Sequence, residues 1–483
     1  MEIMLNLINA LKKINNNYII FLLVMLGAVL WFIPQPNGLT TEAWHLLVVF
    51  AITILTIMTN ILALGIIALL STAFCIAFHL IPLNQALSGF SSNIVWFVVF
   101  AFFIARGLIK TGLGSRVAYF FMSKFGKSTL GISYGLILTE LILAPVIPSA
   151  SARGGSIILP MVESLTNKYA EQGGNHSEKH KKQIGEFLTL LCFHTNVITS
   201  AMFLTAMAAN PITVKLALLQ GVSISWNDWA VGAFVPGLLS LIILPIILNM
   251  ICNPGIPYGE TAPRLAKEAL KTMGKLTSQE GVMIFTFVFL LLLWGAEKYL
   301  QINATTTAML GLVILLVTKV LTWNDVLSEK GAWDTFIWFA ILIMLADSLN
   351  LVGITKWMDI KMQNAIISID SKLMIVVFSC ICFFYIHYVF ASITARVTVT
   401  YSTFLVTFLH IGLPPLPSAL GLGYLSVLSA GLTHYGIGSA PIFFGAGYIT
   451  ASRWWKKSFI ISFVNLFVWG FFSLIWWKIL GWY

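Results

Sequence analysis

Apolar runs separated by polar connectors repeat along the whole chain. They fall near 18–34, 43–60, 61–82, 93–112, 129–165, 186–209, 228–252, 279–300, 304–322, 333–352, 371–411, 417–450 and 458–480. A bilayer core of ~30 Å takes roughly 20 apolar residues at 1.5 Å each, so such runs predict membrane-crossing helices. A transmembrane barrel would alternate in segments of about ten residues instead. The longest connectors are 166–185, with Lys168, Lys179, Lys181 and Lys182, and 253–278, with Arg264, Lys267, Lys271 and Lys275. Segments 113–127 and 354–370 mix polar and apolar residues and suit helices lying at the interface.

Two runs do not read as simple spans. The run 129–165 holds Pro145, Pro148 and the tip Ser149-Ala150-Ser151-Ala152-Arg153-Gly154-Gly155. About ten apolar residues follow the tip, ~15 Å of helix, or half a membrane. The run 371–411 behaves alike around Ser392-Ile393-Thr394-Ala395-Arg396. Both predict re-entrant hairpins, because irregular backbone at that depth must be surrounded by protein or line a cavity. Eleven full spans then remain. With the N-terminus in the cytoplasm, the basic residues outside the membrane divide 19 to 6 in favour of the cytoplasmic side, Lys12 and Lys13 included. That is the asymmetry the positive-inside rule expects.

Composition narrows the class. Only 10 % of the 483 residues are charged and 58 % are hydrophobic. A soluble protein carries roughly 25 % charged residues, so a cytosolic enzyme, a disordered chain and a disulfide scaffold are excluded. The net charge of +10 reads as topology, since no basic tract is interleaved with aromatics; no nucleic-acid partner is expected. The five cysteines lie in or beside apolar runs without metal-ligand spacing, and no cofactor is expected. The expectation is an all-α polytopic protein of the cell (inner) membrane.

The chain also repeats itself at an offset near 242 residues. Trp96-Phe97 matches Trp338-Phe339, Gly112 matches Gly353, and Ser149-x-Ser151-Ala152-Arg153 lies over Ser392-x-Thr394-Ala395-Arg396. Ile198-x-Ser200-Ala201 is matched with Ile437-x-Ser439-Ala440. An odd number of spans separates the copies, so they are inverted. Inverted repeats with broken helices are the layout of secondary transporters, with the substrate near the midplane.

Candidate chemistry follows from polar groups at that depth. A buried arginine costs about 2.5–3.5 kcal/mol on insertion scales, which makes Arg153 and Arg396 functional candidates. Each follows its tip serine by four residues, where free backbone N–H groups favour an anion. The Ser149, Ser151, Ser392 and Thr394 hydroxyls would line the same place. The alternative is that each arginine pairs with a buried carboxylate such as Glu140. In 187–209, His194, Thr195, Asn196, Thr199 and Ser200 sit mid-span. In 431–448, Gly436, Gly438 and Pro441 would unwind a helix beside Ser439. These groups either face a cavity or pack helices together. His194 and His434 are open between ligand, charge-balancing and core roles.

These stretches resemble a known family. ELILAPVIPSASARGG, NVITSAMFLTAMAANP, HYVFASITAR and LTHYGIGSAPIFFGAGY look like the divalent anion/sodium symporters, in particular the 2-oxoglutarate/malate translocator and citrate/succinate antiporter branch. The likeness runs from about residue 40 to the C-terminus. It implies a homodimer and an elevator mechanism. The scaffold domain would comprise 1–127 and 279–370, and the transport domain 128–252 and 371–483, with 253–278 as cytoplasmic connector. The substrate contacts it implies are Ser149, Ala150, Ser151, Ser392, Ile393, Thr394, Ser200, Ser439 and Pro441, with Thr195 and Asn196 beside them. The family's tip asparagines, which help build sodium sites, are Ala150 and Ile393 here, and neither side chain offers the oxygen a hard cation needs. Arg153 and Arg396, with His434 and His194 as further candidates, would then supply charge in place of the ions, and no metal is expected. Two uncompensated cations in an empty carrier would add very roughly 5 kcal/mol to its return, slowing it on the order of a thousandfold. The expectation is obligate exchange of di- or tricarboxylates such as succinate, malate, fumarate, 2-oxoglutarate or citrate. A sodium- or proton-coupled symporter on the same fold is the alternative. A channel or a membrane enzyme fits less well, because no continuous pore or nucleophile–base spacing is legible.

Overall fold

Several helices open on a capping box. Ser225 accepts from Asp228 N, and Asp228 accepts in return from Ser225 N, opening the helix Trp226–Cys252. Thr277 with Glu280 and Thr322 with Asp325 do the same for Ser278–Gly295 and Trp323–Ser328. Each box satisfies donors that a helix start leaves free. Gly112, at φ +74°, turns the chain out of Asn93–Thr111 into Leu113–Phe125 in the left-handed region that glycine tolerates.

The structure is a computed structural model that describes residues 16–59, 61–171, 177–354, 356, 357, 360, 371–390 and 392–483. Lys12, Lys13, Lys361 and most of the interfacial segment 354–370 lie outside the described residues. The described residues form helices and no strand. Eight helices are long and apolar enough to cross a membrane, and five shorter apolar ones accompany them. The protein is an all-α, multi-pass membrane protein.

Two compact units divide the chain. The smaller is drawn from Met1–Val95 and Asp334–Ser368. Within it Trp31 stacks on His45 with centroids 3.8 Å apart, and Gly89 lies against the backbone of Ala340, where a Cβ would overlap the carbonyl. The larger comprises Trp96–Trp333 and Ile369–Tyr483 and holds both hairpins.

In the first hairpin Thr129–Leu143 is one arm and 150–171 the other, the latter passing through a π-helical stretch at Arg153–Ile158. In the second, Lys372–Tyr385 and a 3-10 turn at Ile386–Val389 precede Ile393–His410. Ser177–Met202 breaks before Ala209–Leu219, and Pro415–Leu428 breaks before Ser439–Gly445. The polar connectors are shorter than the sequence pattern suggests. Leu159–Glu171 runs into 166–185, where an exposed Lys168–Glu171 pair at 2.9 Å lies on its last turn. The stretch 253–278 contains the helix Thr261–Met273, whose final carbonyls accept from Arg116.

Candidate functional site

Both tip serines are helix N-caps. The Ser149 hydroxyl accepts from Ala152 N at 3.1 Å and the Ser392 hydroxyl from Ala395 N at 3.3 Å. Each cap starts the second arm of its hairpin, so the arm's remaining N–H groups are free to meet an anion. Ser149, Ser151, Ser392 and Thr394 are half-buried, while Ala150 and Ile393 are buried at 5 % and 6 % exposure. Polar side chains therefore reach accessible space at both tips.

The two repeats interlock. The short helix Ser439–Gly445 of the second repeat packs on the tip and π-helical stretch of the first hairpin, and Ala209–Leu219 of the first repeat packs along Ile393–His410 of the second. Gly154 makes the first contact possible, because a Cβ there would come within 2.8 Å of the Phe443 ring. Ser151 lies against Gly438.

A chain of buried hydrogen bonds crosses this junction. Ser439 donates to Asn196 Oδ1 at 2.8 Å. Asn196 Nδ2 donates to Glu140 Oε1 at 2.6 Å and to the Ala150 carbonyl at 3.2 Å. Arg153 Nε donates to the same Glu140 oxygen at 2.7 Å. The Arg153 guanidinium also reaches Ser200 Oγ at 2.7 Å, the Ala206 carbonyl at 2.7 Å and the Ile147 carbonyl. It thus fastens the hairpin tip to the break of its own repeat's helix, and its charge is matched by Glu140. Glu140 Oε2 has no partner among the described residues.

Arg396 is placed alike and partnered differently. Its guanidinium donates to the Ser426 carbonyl at 2.9 Å, Ser429 Oγ at 2.6 Å and the Phe383 carbonyl at 2.6 Å. It lies 4.4 Å from the Phe383 ring centroid, and its Nε is unpartnered. Phe383 stands thirteen residues before Arg396, as Glu140 stands thirteen before Arg153. Among the described residues no carboxylate pairs with Arg396. A ring face can stabilise a cation but does not cancel its charge. The repeat is therefore electrostatically broken: one arginine is neutralised, the other is not.

The remaining candidates divide. Thr195 and Asn196 are buried on the helix Ser177–Met202, and Thr195 Oγ1 has no partner. His194 Nε2 meets Ser458 Oγ at 3.1 Å, and His434 Nδ1 accepts from the Trp455 indole at 2.9 Å. Both rings thus brace the helix Ala451–Phe467. Pro441 is exposed on the first turn of its short helix. One matching needs correction. Ser200 precedes the break in its helix, whereas Ser439 is the first residue after the other break. The structural counterpart of Ser439-Ala440-Pro441 is Ala209-Asn210-Pro211, which starts the equivalent helix. The shared Ile-x-Ser-Ala is a local identity, while a proline in a helix's first turn marks where a new helix can begin. Asn210 also went unremarked. Its amide donates to the Ser200 and Phe203 carbonyls at 2.8 and 2.9 Å, satisfying acceptors that the break frees.

A family model described as the sodium:sulfate symporter transmembrane region matches residues 14–483. The chain belongs to this family of divalent-anion/sodium symporters. It is a membrane transporter and not an enzyme. Among its relatives is the putative malate transporter YflS of Bacillus subtilis, 44 % identical over 459 residues and 95 % of both chains. Another is the chloroplastic dicarboxylate transporter 1 of Spinacia oleracea, 44 % identical over 95 % of this chain and 80 % of that one. The solved structure of the Alcanivorax borkumensis YdaH transporter shares the fold, with a TM-score of 0.55, 11 % identity, and coverage of 84 % of this chain and 89 % of that one.

Proposed function

We propose that this family member exchanges one dicarboxylate anion for another across the cell membrane and needs no sodium to do so. The observation that carries the reading is the unmatched charge of Arg396 behind a hairpin tip, at the place where the family's asparagine is Ile393. The relatives named for malate and dicarboxylate transport support the substrate class. The anion would sit between the two tips, held by their free N–H groups and by Ser149, Ser151, Ser392 and Thr394, with Ser200, Ser439, Asn196 and Thr195 as the wall behind.

Glu140 changes the size of the electrostatic effect. Only one cation, not two, goes unmatched in the empty site. Moving it past apolar surroundings costs about 3 kcal/mol on insertion scales, which slows the return of the empty carrier roughly a hundredfold. A bound anion that brings the site to neutrality removes that penalty, so loaded transits dominate and transport becomes exchange. In this reading residues 128–252 with 371–483 move as an elevator against 1–127 with 279–370, in a homodimer whose N-termini face the cytoplasm.

Counterflow into liposomes tests it. Labelled succinate or malate should enter sodium-free vesicles only when unlabelled dicarboxylate is inside. Rapid sodium-driven uptake into empty vesicles would instead establish the symporter.

A further inference from the structure

We propose, on the basis of the exchange reading above, that His387 takes up a proton with each dicarboxylate bound, so that the occupied site moves without net charge. The buried groups at the junction carry Arg153, Glu140 and Arg396, a sum of one positive charge. A dianion leaves that site one positive charge short of balance.

His387 stands where the missing charge is needed. It lies in the 3-10 turn that leads to the second tip and is 0 % exposed. Neither ring nitrogen has a partner among the described residues. Buried polar atoms are rarely left so, because each costs its full desolvation. The ring faces the broken helix of its own repeat: a Cβ on Gly436 would fall on His387 Nε2 and within 2.8 Å of both Thr433 Oγ1 and the Ala430 carbonyl. Thr433 Oγ1 and Arg396 Nε are unpartnered too. Unsatisfied atoms from three elements thus gather beside the tip and the break. His194 and His434 already hold partners.

The surroundings set when the proton arrives. Arg396 lies close enough for its charge to act on the ring. The other ionisable groups near it on the packed elements are Cys380, Cys382 and Tyr385 of the first arm, Tyr388 of its own turn, and His434 and Tyr435 of the break; the turn Ser429–Leu432 brings none. Lys372 and His410 stand at the far ends of the two arms. None of these groups is a carboxylate. With the site empty, a second cation beside Arg396 in so buried a place is unfavourable. A dianion between the tips reverses the local field and favours imidazolium. The proton comes from water on the side the site faces, travels with the anion and leaves with it. Dianion-for-dianion exchange then moves no net charge and no net proton.

Calorimetry of the purified full chain tests this, with 2-oxoglutarate or tartrate as the probe, since both are fully ionised near neutral pH. Binding to the wild type in buffers of different ionisation enthalpy should report uptake approaching one proton per chain near pH 7. His387→Gln should still bind, more weakly, with no proton uptake. A wild-type enthalpy independent of buffer overturns the proposal without touching the variant, and so does undiminished uptake in His387→Gln. Binding of no dicarboxylate by the wild type would instead reject the dicarboxylate-exchange reading beneath it.

Discussion

Ser439 donates to Asn196 across 243 residues of chain, and this one bond joins the two inverted repeats at the candidate site. Asn196 spends its amide on Glu140 and the Ala150 carbonyl, so the bond also fixes the first tip. A buried neutral hydrogen bond contributes about 1 kcal/mol, and an orphaned partner costs roughly 1–3 kcal/mol. Ser439→Ala should lower stability by about 1–2 kcal/mol, and Asn196→Ala by more. A double-mutant cycle on thermal unfolding in detergent should give positive coupling; additive effects would place the two residues on separate networks.

Glu140→Gln leaves Arg153 buried without a counter-charge. Removing one partner of a buried pair costs roughly 3–5 kcal/mol, whereas replacing both by apolar groups of similar size can be neutral. Glu140→Gln should therefore express poorly. Glu140→Leu with Arg153→Met should recover the fold and keep a measurable share of exchange. Arg396→Met should fold and lose strict exchange, because the empty carrier, freed of the charge, should return about a hundredfold faster. Equal losses from the two arginine replacements would contradict the asymmetry.

Phe383→Glu gives Arg396 the carboxylate that Arg153 already has. The empty carrier should then return, so uptake into vesicles without internal substrate should rise while counterflow falls. Unchanged strict exchange in a folded Phe383→Glu protein would remove the charge of Arg396 from the mechanism.

Lys110 and Asp325 form an exposed pair at 2.6 Å on the larger unit. The hydrogen bond from Lys110, reinforced by the Thr322 cap, holds the Asp325 carboxyl at about 2, below its ordinary range. A lowered carboxylate stabilises above its unfolded value and loses that contribution only as pH falls through about 2. Asp325→Asn should therefore cost the same at pH 5 and pH 8, under about 1 kcal/mol for so exposed a pair. Thermal unfolding at both values checks this. A pH-dependent difference would mean that other groups titrate with it.

The hairpins and helix breaks were legible because they follow local rules. Ser149 and Ser392 mark tips because serine caps a helix, and Gly436, Gly438 and Pro441 mark a break because they disfavour helix; Pro211, in the first turn of Ala209–Leu219, carried no such mark. The electrostatics were only half legible. Glu140 was visible as a possible partner for Arg153, but no local pattern says that Phe383 takes its place beside Arg396. That difference emerges only when the partners of the two guanidinium groups are seen side by side. His387 was hidden for a related reason: a lone histidine in an apolar run looks like core until its ring is found without partners. Asn210 was missed because its task, closing the carbonyls of a broken helix, exists only once the break has formed.

The interlocked halves carry a consequence for biosynthesis. Asn196 enters the bilayer 243 residues before Ser439 is made. At translation rates of about 5–20 residues per second, the first hairpin waits on the order of ten seconds or more for its cover. During that interval Glu140 and Arg153 have each other, being only thirteen residues apart, and the nascent half is already charge-balanced. Arg396 needs no such precaution, since the helices that receive it from Ser426 and Ser429 follow within about forty residues. The carboxylate sits in the copy that is born first and must keep longest.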